Sequence, residues 1–441
     1  MAPLDPIFPG LGTASYDVRQ YTLALKWDPA THVLDARTTI AAVARDSLRS
    51  VSLDYSGPPV VAAAVDGTGT TPHEGNKKLV LPLPHGVNPG DPFTAVVHTH
   101  GRPGGGGFSV HGEQIRQGWI DSRDGGTVTL DEPNGAHTWF PCNDHPSDKA
   151  IFAFRVTAPS SLTVVANGVL SGRRTRGHDT TWTYREPTPM ATYLAQVVTG
   201  RYVVQRHGTV AGVRLRNVLP KAFVPRLERI LAPEPRILIF LSKRFGVFPF
   251  DTYGGLVVNG YPVTGLETQT LTTFSMQRLL SHGRTYDGVV QAHEMTHQWF
   301  GDAVSPATWR DIWLNEGFAT YGQWLWEAEI GGPSPELHAR EVLRRRALLA
   351  RLGPTAMPAG PGDLFGDQVY SGGALALQAL RDHVGASVFF RILRSWYRTF
   401  RGRSASTAQF IGLASRVAGE DLEAFLHPWL YSATRPSSLP G

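Results

Sequence analysis

Two domains, an N-terminal all-β saddle or sandwich followed by an α+β, mainly helical domain, are predicted by three features of the 441-residue sequence. The length allows about two or three domains at roughly 150 residues each. From Tyr16 to about His207 apolar residues recur at every second position, the period of a half-buried strand. After about residue 208 the period lengthens to that of helices, and strands followed by helices indicate an α+β second unit. The predicted domains are residues 1–207 and 208–441.

In YTLALKW, residues Tyr21, Leu23, Leu25 and Trp27 fall on one side of a strand and Thr22, Ala24 and Lys26 on the other. Short runs of the same kind recur in KKLVLPL, FTAVVHT, IFAFRVT, LTVVANG, TTWTY and YLAQVVTGRYVV. Turn-forming pieces such as VDGTGT, VNPGDP and SRDGG separate them, which predicts antiparallel pairing within one β domain. GRPGGGGF, with Gly104 to Gly107, lacks the GK[ST] ending and following helix of a phosphate loop and is expected to be a flexible loop. Beyond residue 208, PRLERILAPEPRILIFLSKRFG has helical spacing broken by Pro233 and Pro235, and GLVVNGYPV and LETQTLTTF read as strand and loop. Helices then dominate, in DGVVQAHEMTHQWFG, NEGFATYGQWLWEAEIG, PELHAREVLRRRALLARLG and GGALALQALRDHVG. The ending SATRPSSLPG is expected to fray.

Composition narrows the function. Lys and Arg number 42 against 37 Asp and Glu, a net charge of +5, yet the basic residues are dispersed. The densest run, Arg344 to Arg346, alternates with Leu and Ala as a solvated helix face, so nucleic acid is not an expected partner. No stretch approaches the roughly 18 apolar residues of a membrane-spanning helix. The opening MAPLDPIFPGLG lacks the basic-then-apolar pattern of a secretory signal, so a cytoplasmic monomer is expected, with a secreted mature form as the alternative. Cys142 is the single cysteine, which excludes an internal disulfide and a cysteine-built zinc finger and leaves His and carboxylates as metal ligands.

Such ligands occur in QAHEMTHQWFGD. His293 and His297 lie four residues apart and project from one helix face, the spacing two imidazoles need to share an ion. Two nitrogens leave zinc under-coordinated, and a carboxylate on a second helix is the natural third ligand. Glu316, in DIWLNEGFATYGQ, follows His297 with 18 residues between, enough for a loop and the start of another helix. Such a triad leaves the fourth corner of a tetrahedron for water, the mark of a catalytic rather than a structural zinc site. Glu294 points about 100° around the helix from His293 and is free to act as the general base for that water.

HEMTHQWFGDAVSPATWRDIWLNEGFATY resembles the signature of the M1 zinc aminopeptidases, a gluzincin family. DEPNGAHTWFPCNDHPSDKAIFAFRVTAP is similar to a stretch of the family's N-terminal β domain, GYPVTGLETQT to its exopeptidase motif, and FGDQVYSGGALALQALR to the segment carrying its catalytic tyrosine. The resemblance runs from about residue 16 to 385. It implies a thermolysin-like catalytic domain, one zinc ion per chain, and removal of N-terminal residues from peptide substrates. It also implies that Glu267 anchors the substrate's terminal ammonium, a task carboxylates perform through charge-assisted hydrogen bonds. Glu132 would reach the same ammonium from the β domain, Tyr370 would stabilise the oxyanion opposite the metal, and Gly265 and Leu266 would offer a strand edge to the substrate backbone.

Several positions depart from the family pattern. Thr296 stands in the metal helix where an apolar residue is common; Leu266, Thr268 and Gln269 replace the usual exopeptidase-motif residues; VYSGGA lacks the usual basic residue; and Gln323 stands where many members have Glu. None of these removes a catalytic group. The chain ends soon after Tyr370, whereas many members continue into a helical domain that roofs the site, so an open cleft is expected. Two other functions remain compatible with these residues: a gluzincin-type endopeptidase, which grips no amine, and a peptide-binding protein without turnover.

Overall fold

A computed structural model of the chain describes residues 4–110, 113–123, 125–261, 263–282 and 284–440. Its first part is built on sheets. Among the described residues the largest has eight strands, in the order Val169–Arg176, Asp179–Met190, Ala150–Pro159, Tyr16–Asp28, Val33–Ala44, Pro92–Gly101, Val60–Val65 and Thr68–Thr70. Strand alternation buries Tyr21, Leu23, Leu25 and Trp27, the face expected from YTLALKW. The Tyr21 ring stacks on Phe152 at 4.9 Å and meets Phe140 edge-on at 5.7 Å.

Two expectations for this part fail. Tyr16–Asp28 pairs in parallel with Ala150–Pro159, Gln20 opposite Ile151, so the sheet is not purely antiparallel. No hairpin dictates direction between strands so far apart in the chain. The glycine run is not a free loop: Gly105–Val110 is the edge strand of a five-stranded sheet, paired with Glu113–Asp121. Glycine suits that close approach, since a methyl on Gly107 would come within 3.1 Å of the Ile115 carbonyl oxygen.

The hairpin of Tyr202–Val210 and Val213–Pro220 spans residues 207 and 208 and opens a mixed sheet. That sheet continues through Gly255–Val258 and Thr272–Ser275 to Gly265–Leu266 at its edge. The second part is otherwise helical. Pro235 lies in the first turn of the helix Glu234–Phe245, where its missing N–H leaves no intrahelical bond unmade. Three helices position the candidate site: Arg284–His297, Trp313–Glu329 and Asp367–Val384. The C-terminal tail, expected to fray, is fastened at Arg435, and Gly441 lies outside the described residues. Arg435 is buried and donates to the Gly353 carbonyl oxygen at 3.2 Å and to Thr355 Oγ1 at 2.9 Å, which fastens the segment to the body.

The two parts share one apolar core that runs from Ile7 to Leu430. Polar ties cross between them. Trp309 N donates to Asp5 Oδ2 at 2.8 Å, and the half-buried Lys149 donates from its ammonium to the carbonyl oxygens of Asp302 and Ala303 at 2.5 and 3.2 Å. Among the described residues no helix is long and apolar enough to cross a membrane.

Candidate metal centre

His293 and His297 occupy successive turns of one helix and Glu316 the first turn of the next, as their spacing predicts. Glu316 Oε2 lies 3.5 Å from Nε2 of each histidine. A tetrahedral ion with arms of about 2.1 Å has edges of about 3.4 Å, so this triangle has the size of a zinc ligand set. The donors also need a cation. Glu316 Oε2, the oxygen that faces both histidines, is buried without a hydrogen-bond partner, an arrangement that costs free energy unless an ion compensates. Burial pushes the Glu316 carboxyl up to about 7 and pulls His293 down to about 4, which keeps that imidazole neutral and its lone pair available.

Asn315 ties the centre together, and sequence reasoning did not single it out. Its Oδ1 accepts a short hydrogen bond from His297 Nδ1, which leaves Nε2 of that ring facing Glu316. Its Nδ2 donates to Glu267 Oε1 at 2.8 Å. One amide therefore orients a metal-ligand candidate and the candidate amine anchor together. Its only signal in the sequence is its place before Glu316. Gln298 acts in a similar way on the backbone: Nε2 donates to the Glu267 carbonyl oxygen at 2.9 Å, and Oε1 accepts from Thr270 N at 2.9 Å.

A cavity of about 330 Å³ opens beside the triangle. Its lining includes the triad together with Glu294, Glu132, Glu267, Gly265 and Tyr370. Glu132, Glu267 and Glu316 each place a carboxylate oxygen within 4.8 Å of the other two, although Glu132 comes from the β domain. Glu132 Oε1 is buried with no partner. Burial first, then the neighbouring carboxylates, hold Glu132 and Glu294 well above the ordinary carboxylate range. Ionisation of all four carboxylates around this cavity would need more positive charge than a single divalent ion brings.

Gly265 borders the cavity closely enough that a methyl there would lie 2.2 Å from Glu294 Oε1. Leu266, expected beside Gly265 on the substrate edge, turns its side chain into the core, pairs with Thr273 and is not among the residues that line the cavity. The Tyr370 ring lies nearly parallel to His293, with centroids 6.0 Å apart. Burial, and then the neighbouring Glu316 carboxylate, drive the Tyr370 pKa well above the usual phenol value. Gln323 also lines the cavity and donates to Glu327 Oε1 at 3.0 Å, while Glu327 Oε2 meets His338 Nε2 at 2.6 Å.

Comparison with known proteins bears on the family of the chain. The profile of the Peptidase family M1 domain matches residues 231–429, and that of the Peptidase M1 N-terminal domain matches residues 110–194. Aminopeptidase M1-A of Oryza sativa subsp. japonica is 26% identical over 318 residues, which cover 68% of this chain and 36% of the rice protein. The chain thus spans little more than a third of that relative. The M1 zinc metallopeptidase of Deinococcus radiodurans is 32% identical, with a TM-score of 0.86 and full coverage of both chains. A mutant of that protein has been crystallised with a Tyr-Ser-Ala substrate. A chain that matches a solved zinc metallopeptidase over its whole length and carries the family's zinc-binding residue types in one cluster belongs to the M1 family of zinc metallopeptidases.

Proposed function

We propose that the protein is a zinc aminopeptidase that removes N-terminal residues from peptides. One observation carries the reading: two carboxylates beyond the ligand triad, Glu132 and Glu267, converge on the same buried cavity. A metal site for internal cleavage does not need that surplus negative charge, whereas a protonated N-terminus does.

His293, His297 and Glu316 would hold the ion. Zinc, when bound, polarises a carbonyl and acidifies water. Glu267, oriented by Asn315, and Glu132 would grip the substrate's ammonium and so place its first peptide bond beside Glu294 and the ligand triad. The edge strand Gly265–Leu266 offers backbone groups to the extended substrate. Glu294 accepts a proton from the attacking water and passes it to the departing amine. A bound cation favours the ionised form of Glu294 that this role requires, against the burial that raises its pKa. Tyr370 donates its hydroxyl proton in a hydrogen bond to the carbonyl oxygen as that atom gains charge.

The test compares a short peptide with its N-acetylated twin on the zinc-loaded protein, alongside Glu294→Gln. The free-amine peptide should be cleaved and the acetylated one left intact, and Glu294→Gln should bind zinc but turn over at least about a hundredfold more slowly. Equal cleavage of both peptides would show an endopeptidase, and undiminished turnover by Glu294→Gln would remove the general base.

A further inference from the structure

A second cavity, of about 590 Å³, lies where the hairpin Val169–Arg176/Asp179–Met190 faces the strands Tyr202–Val210 and Val213–Pro220. Arg173, Arg206, Arg214 and Arg216 line it, with Trp182 and Tyr184, and among the described residues no carboxylate does. Arg173 lies over the Trp182 ring and Arg216 over the Tyr184 ring, each 5.6 Å from the centroid. Among the described residues none of the four guanidinium groups is within ion-pair distance of an acid, in contrast to Arg45, Arg340 and Arg344 elsewhere.

Arg216 gives the cavity its depth. Only 9% of it is exposed, its Nη2 donates to the Ala166 carbonyl oxygen at 3.0 Å, and its buried Nε has no partner. The charges converge: Arg206 and Arg214 each make the Arg216 cation harder to keep, and Arg173, Arg206 and Arg216 all act on the Tyr184 phenol. Glu186 also acts on Arg216, but burial pushes its carboxyl up to about 7, so it is a weak counter-charge near neutral pH. Three exposed guanidinium groups around a buried fourth in one concave wall repel one another, most strongly at the buried Arg216, unless an anion joins them. Guanidinium groups present forked donors suited to an anion with several oxygens, and a phosphate dianion meets more of them than a single carboxylate does.

We propose that this arginine-lined cavity is a binding site for a phosphate dianion, free or carried by a small organic molecule. It is separate from the metal centre and does not depend on the aminopeptidase reading.

Calorimetric titration of the zinc-loaded protein with inorganic phosphate and with phenyl phosphate tests it. One saturable equivalent of each should bind, the two in competition. Arg206→Glu and Arg214→Glu, both at exposed positions, should each weaken binding by about tenfold or more. Arg398→Glu, the same charge change on the exposed face of the helix Ala386–Phe400, should leave binding unchanged. Tighter binding of phenyl phosphate assigns the site to an organic phosphate, and equal binding assigns it to the free ion. Binding that survives both cavity reversals, falls equally with Arg398→Glu, or never saturates would overturn the proposal.

Discussion

Asn315 joins the two tasks of the site in a single side chain, accepting from His297 and donating to Glu267. Replacing it by alanine leaves the Nδ1–H of His297 and one Glu267 oxygen without these partners inside a buried cavity. Asn315→Ala should weaken zinc binding by about 10–100-fold, measured by competition with a chelator, and should also raise KM for free-amine peptides. Loss of zinc affinity with KM unchanged would confine Asn315 to the metal side. The contrast with its neighbours shows what a sequence can disclose at this scale. His293, His297 and Glu316 follow from helical spacing and ligand chemistry, because a shared helix face fixes two of them in space. Asn315 is invisible by the same logic, since its partners are 18 and 48 residues away and only the packing of the helix against the Glu267 loop brings them within reach.

Between elements, the helices that carry Glu316 and Tyr370 cross at Gly317 and Gly373. A methyl on Gly317 would lie 2.7 Å from the Gly373 Cα, and one on Gly373 equally close to Gly317. Backbones that approach this closely have no room for a side chain, so Gly317→Ala must push the helices apart. It should destabilise the protein by about 1–3 kcal/mol in thermal or denaturant unfolding and lower kcat, because Tyr370 moves away from Glu316 with its helix. A variant with unchanged stability and turnover would show that the crossing tolerates the extra methyl. Periodicity marks the existence of these helices but not the place where they touch, and the two glycines look ordinary in NEGFA and YSGGA. The glycine run at residues 104–107 misleads for a related reason. Composition reports flexibility in isolation, whereas edge pairing with Glu113–Asp121 gives the same residues a defined place.

Over the whole molecule, the site belongs to neither domain alone. Glu132 enters from the sheet-built part, the Glu267 loop and the ligand helices from the other, and a continuous apolar core with cross-domain bonds from Asp5 and Lys149 holds the two in register. The order of the domains was legible in the change from a period of two to helical spacing. The parallel pairing of Tyr16–Asp28 with Ala150–Pro159 was not, because it joins residues more than a hundred apart. On the proposed function, the acidic cavity at the junction would hold two cations, a metal on His293, His297 and Glu316 and an ammonium on Glu267 and Glu132, with Glu294 as the base between them. Diffraction at the zinc absorption edge from crystals of the zinc-loaded protein addresses this directly. A single anomalous peak should lie within about 2.0–2.3 Å of His293 Nε2, His297 Nε2 and a Glu316 oxygen, with Glu132 and Glu267 outside the coordination shell. A peak held instead by Glu132 and Glu267, or none at the histidines, would contradict it.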